Sequence, residues 1–113
     1  MVLDDRVTIT THHNRNRDDT FLIYMEREPI EMHTYFNHGD RVECDFDLEN
    51  SRPRIVIFKS NTSRKTIRLP DRENKYKIGY RVGDKSGDYV PDIFISRHPK
   101  QAEYHKDCII LYL

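Results

Sequence analysis

The side chains best suited to chemistry in this chain of 113 residues are six histidines and two cysteines. His12, His13, His33, His38, His98 and His105, with Cys44 and Cys108, supply more than the four nitrogen or sulfur donors that a zinc ion takes. Their spacing is wrong for it. No CxxC or HxxxH occurs, His33 and His38 stand five apart, and His98 and His105 stand seven apart. Neither a strand nor a helix puts the first pair on one face, and the second pair aligns only on a helix of two turns. No metal and no cofactor is expected. For metal-free RNA cleavage, His12, His13, Tyr76 and Arg81 include the types needed for general base, general acid and transition-state cation. Nothing in the sequence fixes their mutual geometry, and GxSxG, GxxxxGK and GxGxxG are absent, so the expected class is binding rather than catalysis.

Charge carries the stronger signal. The chain has 19 basic and 19 acidic residues and a formal net charge of zero, yet the two signs are segregated. Residues 1–51 hold 5 basic and 12 acidic side chains (−7), residues 52–81 hold 10 and 2 (+8), and residues 82–113 hold 4 and 5 (−1). The ten cations of the middle segment are Arg52, Arg54, Lys59, Arg64, Lys65, Arg68, Arg72, Lys75, Lys77 and Arg81. That density creates a local positive field able to attract a polyanion, of which nucleic acid is the commonest.

These side chains must be positioned by strands. Ile, Val and Thr number 11, 6 and 7 and the aromatics 12, against 1 Ala, 6 Leu, 3 Met and 1 Gln, a balance that favours pleated surfaces over helices. Alternation and turn residues predict strands at Val7–His12 and Thr20–Glu26, forming a hairpin across the polar stretch 13–19. Val42, Cys44, Phe46 and Leu48 alternate with Glu43, Asp45, Asp47 and Glu49. A turn at Asn50-Ser51 then folds this strand onto Arg54–Lys59, setting Arg52 opposite Glu49 and Arg54 opposite Asp47. The interior of Arg54–Lys59 is wholly apolar, so it is expected to be central and covered on both faces. Further strands are expected at Lys65–Leu69, Tyr76–Val82, Asp92–Ser96 and Cys108–Leu113. Ile30–Phe36 fits either a strand or a helical turn, and Pro99 introduces one short helix over Lys100–Lys106.

The reading is a single all-β domain over 1–113, a small barrel or sandwich of about eight short strands with one short helix near the C-terminus. The apolar positions Phe46, Ile55, Ile57, Ile67, Ile78 and Ile95 form its expected core. With Ile67, Leu69, Tyr76, Ile78, Tyr80 and Val82 facing inward, Arg68, Lys77 and Arg81 face outward. Lys59-Ser-Asn-Thr-Ser-Arg-Lys65 adds hydroxyls and an amide between basic ends, a composition suited to phosphate oxygens. Lys59, Arg64, Lys65, Arg68, Lys77 and Arg81 are thus the candidate nucleic-acid-binding residues of a small, non-catalytic regulator. The rival expectation is a protein-binding module that inhibits or recruits a larger partner through the acidic strand or the C-terminal strand.

Mean hydropathy is −0.84 and no apolar run reaches the ~18 residues of a membrane span. Met1-Val-Leu-Asp-Asp-Arg lacks the basic and apolar regions of a secretory signal, so a cytoplasmic protein with no membrane partner and two reduced thiols is expected. The order Phe21-Leu-Ile-Tyr-Met-Glu-Arg-Glu, His38-Gly-Asp-Arg-Val-Glu-Cys-Asp-Phe-Asp-Leu, Arg54-Ile-Val-Ile-Phe-Lys59 resembles that of swapped-hairpin transcription regulators of the AbrB type over less than half the chain. The arginine and proline signature of that family is absent from Phe21–Met25, and membership is not assigned. The resemblance implies an intertwined homodimer that binds DNA.

Overall fold

A computed structural model describes residues 2–4, 6–13, 19–49, 51–70, 74–82 and 90–113. Eight strands are seen among them: β1 (Val2–Asp4), β2 (Val7–His12), β3 (Asp19–Glu26), β4 (Val42–Asp47), β5 (Arg54–Lys59), β6 (Lys75–Val82), β7 (Gln101–Tyr104) and β8 (Cys108–Tyr112). Two short helices, α1 (Arg27–His33) and α2 (Asp92–Ser96), interrupt the series. The strands form a five-stranded antiparallel sheet in the order β1-β7-β8-β5-β4 and a three-stranded antiparallel sheet in the order β2-β3-β6. The architecture is a sandwich, not a closed barrel.

Side chains at period two from both sheets meet in one core: Phe21, Ile23, Met25, Ile55, Ile57, Tyr76, Ile78, Tyr80, Ile109 and Leu111 are all buried. Phe46 of β4 bridges the layers, its ring centroid 5.7 Å from Tyr80 and 5.6 Å from Phe94. Four of the six expected core residues, Ile55, Ile57, Ile67 and Ile78, are buried, whereas Phe46 and Ile95 are half-buried. The β4–β5 register has the expected sum, with Asp47 opposite Arg54 and their side chains paired at 3.0 Å. Arg52 instead donates to Leu113 O at 2.7 Å and to Gln101 Oε1 at 3.2 Å.

Of the segment Ile30–Phe36, Ile30–His33 form the end of α1, while Thr34, its extended C-cap, and Tyr35 and Phe36 lie in neither helix nor strand. Pro29 sits in the first turn of α1, where the missing N–H would have no helical acceptor. Arg27 pairs with Glu31 at 2.8 Å one turn on, and Pro29 and Ile30 are buried. Thr34 closes the helix, its hydroxyl donating to Ile30 O at 2.6 Å. The turn that follows requires Gly39, whose φ of +90° disfavours any side chain.

Four expectations are corrected. Asp92–Ser96 is α2 rather than a strand: Phe94 is fully buried while Ile93 and Ile95 are half-buried, the reverse of what strand alternation with Ile95 inward requires. Lys100–Lys106 is not helical. Its Gln101–Tyr104 core is β7, held between β1 and β8 with Ala102 and Tyr104 buried, so tertiary pairing overrides the helix-forming side chains. Lys65–Leu69 makes only the isolated bridges Arg41↔Thr66 and Arg68↔Lys77, because it crosses from one sheet to the other and can extend neither ladder. Finally, β5 is covered on one face only: Ile55 and Ile57 are buried, but Val56 is half-buried and Phe58 exposed. No helix among the described residues is long and apolar enough to cross a membrane.

Candidate nucleic-acid interface

The antiparallel register of β2, β3 and β6 fixes what the outer face of the three-stranded sheet presents. Phe21, Ile23 and Met25 point into the core, so Thr20, Leu22, Tyr24 and Glu26 point out, as do Thr8, Thr10 and His12 from β2 and Lys75, Lys77, Gly79 and Arg81 from β6. Thr8 lies opposite Tyr24, Tyr24 opposite Lys77, and Lys77 exchanges backbone hydrogen bonds with Arg68 (Arg68 N to Lys77 O, 2.9 Å; Lys77 N to Arg68 O, 2.7 Å). The result is a row, Thr8–Tyr24–Lys77–Arg68, with neighbours about 4.8 Å apart. A second row, His12–Thr20–Arg81, crosses the far end of the same face. Between them Leu22 lies over Gly79, where an added Cβ would stand 3.2 Å from Leu22 Cδ2. A shallow groove of ≈ 460 Å³ lined by Thr8, Thr10, Tyr24, Asn74 and Lys75 opens beside the first row.

The six candidate residues divide. Arg68, Lys77 and Arg81 reach this face as the alternation requires, and Arg68 and Arg81 are exposed. Arg64 is exposed in the loop before Lys65. Lys59 is turned to other work, donating to Tyr35 O at 2.6 Å and pairing with Asp40 at 3.3 Å. Lys65 is half-buried: its ammonium donates to Gly79 O at 3.1 Å and stands 4.3 Å from the Tyr80 ring centroid. It meets a carbonyl on the β6 edge that the crossing segment 63–68 no longer pairs. The loop hydroxyls expected to greet phosphate hold the loop itself. Ser63 is buried, its Oγ donating to Val42 O at 2.6 Å and accepting from Lys65 N at 3.0 Å, and Ser60 Oγ bonds Thr62 Oγ1 at 3.2 Å.

Of the ten cations in residues 52–81, Arg54 is paired with Asp47 and Lys75 approaches Glu26 at 3.9 Å, while Arg72 lies outside the described residues. Arg64, Arg68 and Lys77 have no acidic partner among the described residues. Arg68 and Lys77 are also direct cross-strand neighbours, a like-charge pairing that costs stability in a sheet.

The acid–base set is dispersed. Tyr76 is buried in the core with its hydroxyl donating to Glu31 Oε1 at 3.3 Å, and burial, reinforced by the Glu31 charge, pushes that phenol up. His12 and Arg81 stand on the opposite face, about 10 Å apart across two strand spacings. His13 pairs with Asp19 at 2.9 Å. His38 accepts from Leu69 N at 2.8 Å, His98 meets Thr11 Oγ1 at 3.3 Å, and His105 bonds Glu103 at 2.5 Å. Among the described residues no three His, Cys, Asp or Glu side chains come together as a metal site. Cys44 faces the core opposite Ile57, and Cys108 faces outward opposite Phe58, on different faces of one sheet with β5 between them. Burial pushes the Cys44 thiol up to about 12, against the opposing pull of its hydrogen bond with Tyr80. Burial and then the Glu103 and Asp107 charges also push Cys108 up.

No protein-family model, curated protein or solved structure matches the chain. The likeness of residues 21–59 to swapped-hairpin regulators therefore gains no support. Sequence reasoning missed Tyr24, Thr8, Thr10 and Leu22 as members of this face. The signal was present in β3, which is apolar at both alternations: Phe21, Ile23 and Met25 are buried, whereas Leu22 and Tyr24 are half-buried.

Proposed function

We propose that the chain binds single-stranded nucleic acid, without catalysis, on the outer face of the three-stranded sheet. The observation that carries this reading is the row Tyr24–Lys77–Arg68, an aromatic ring beside two cations that have no acidic partner among the described residues. A base stacks on an aromatic platform whatever its identity, and the neighbouring cations take the phosphates on either side. Thr8, Thr10 and Asn74 supply hydroxyls and an amide along the adjoining groove, suited to sugar or base edges. Arg81 and His12 extend the track to the far end of the face.

The reading is tested by fluorescence anisotropy of labelled single-stranded DNA, single-stranded RNA and duplex DNA of about twelve nucleotides. Tyr24→Ala should weaken single-strand binding by roughly 5- to 150-fold, the loss equivalent to ~1–3 kcal/mol of stacking, and change duplex binding little. No binding to any of the three at low salt, or single-strand binding indifferent to Tyr24→Ala, would overturn it.

A further inference from the structure

Strand β4 forms one edge of the five-stranded sheet. Ser60 N donates to Arg41 O at 3.0 Å, so Arg41 and each second residue after it turn their backbone polar groups toward β5. Val42, Cys44 and Phe46 turn theirs outward. The crossing segment covers the start of that edge: Ile67 N donates to Asp40 O at 3.0 Å, Val42 N to Lys65 O at 2.9 Å, and Ser63 Oγ to Val42 O at 2.6 Å. Among the described residues this cover ends at Ser63, and the backbone N–H and C=O of Cys44 and Phe46 have no hydrogen-bond partner there. An unpaired row of this kind is a template for another strand.

The side chains along the edge state which strand. Glu43 and Asp45 project from the outer face, with no basic partner among the described residues. Cys44 and Phe46 lie on the other face, and Leu48, just past the strand end, is 49% exposed. A second copy of β4 laid antiparallel would set carboxylates opposite carboxylates, which disfavours self-pairing. The same carboxylates favour a cationic strand.

We propose that the free edge of β4 binds an extended cationic peptide by antiparallel strand addition. Basic side chains of the peptide lie beside Glu43 and Asp45, and the alternate apolar ones lie beside Phe46 and Leu48. The site is on the other sheet from the Tyr24 row, so it stands or falls independently of the nucleic-acid reading. In antiparallel addition the peptide residues facing Cys44 and Phe46 exchange both backbone hydrogen bonds with them, which makes the apolar residues' amides the ones that matter.

The probe is an end-blocked, labelled peptide of alternating lysine and valine, read by anisotropy and by amide hydrogen exchange on the full chain. Saturable binding is expected, with exchange at Cys44 and Phe46 slowed about tenfold or more. N-methylation of the valine amides should abolish binding and N-methylation of the lysine amides should not. Asp45→Lys, at an exposed position, should weaken binding about tenfold with an unchanged circular dichroism spectrum. Absence of binding, equal binding of the valine-methylated peptide, or unaltered exchange at Cys44 and Phe46 would overturn the proposal. So would protection of those amides by the protein's own self-association, which would make a second copy the occupant.

Discussion

Lys65 is a cation tied into the fold. Its ammonium donates to Gly79 O at 3.1 Å and lies 4.3 Å from the centroid of the Tyr80 ring, on a half-buried side chain. Lys65→Met keeps most of the aliphatic stem and removes the charge, leaving the Gly79 carbonyl without this donor. A hydrogen bond from a charged donor contributes about 1.5–3 kcal/mol and a cation over an aromatic ring about 0.5–2 kcal/mol. The two share one ammonium and are partly solvated, so a loss of about 1–3 kcal/mol is expected rather than their sum. With an unfolding entropy of about 2.1 cal/mol/K per residue, each kcal/mol lowers the melting temperature of a domain this size by about 4 °C. Thermal and urea unfolding of wild type and variant measure it, with oligonucleotide affinity recorded well below the melting range. The expected result is a Tm lower by roughly 4–12 °C with affinity nearly unchanged. Unchanged stability together with a large loss of binding would refute the placement of this side chain and return Lys65 to the binding surface.

Ile57→Ala, at a fully buried site between β4 and β8, should cost ~2–5 kcal/mol in urea unfolding, whereas Ile95→Ala, half-buried on α2, should cost clearly less. Deleting residues 108–113 removes β8, which pairs with both β5 and β7 and buries Ile109 and Leu111, so the shortened chain should lack cooperative unfolding by circular dichroism. The Cys44 thiol, pushed up to about 12 from 9.0, stays neutral in the fold at a pH where the unfolded chain's thiol ionises. Its contribution is complete below pH 9.0 and is lost as pH rises toward 12, so Cys44→Ala should flatten the alkaline fall in stability, and iodoacetamide should label Cys108 before Cys44.

Strands with a clear alternation or an unbroken β-branched and aromatic run were legible from sequence. Val7–His12 and Arg54–Lys59 have the expected bounds, and the β4–β5 register, with Asp47 opposite Arg54, is the one expected from closing the hairpin at residues 50–51. The C-terminal region was misread because two short segments carry ambiguous patterns. Asp92-Ile-Phe-Ile-Ser96 has three consecutive apolar residues that suit either period, and only packing shows that Phe94 is the buried one. Gln101-Ala-Glu-Tyr104 is rich in helix formers, yet Ala102 and Tyr104 also alternate, and the strands on either side decide the outcome. For the face proposed to bind, alternation placed Arg68, Lys77 and Arg81 outward. The inward turn of Lys65 and the Asp40 pairing of Lys59 depend on Gly79 and Asp40, distant in sequence, which no local pattern reveals.

The most direct measurement of the central claim is the salt dependence of oligonucleotide binding by wild type and by the double variant Arg68→Gln, Lys77→Gln. Each phosphate contact on a single strand contributes about −0.7 to the slope of log affinity against log salt. Loss of both should flatten the slope by about 1.4 and weaken unrelated sequences alike, with the unfolding midpoint unchanged or slightly raised by relief of the cationic pair. An identical slope for both proteins, or a wild type that does not bind at low salt, would contradict the assignment of this sheet face to nucleic acid.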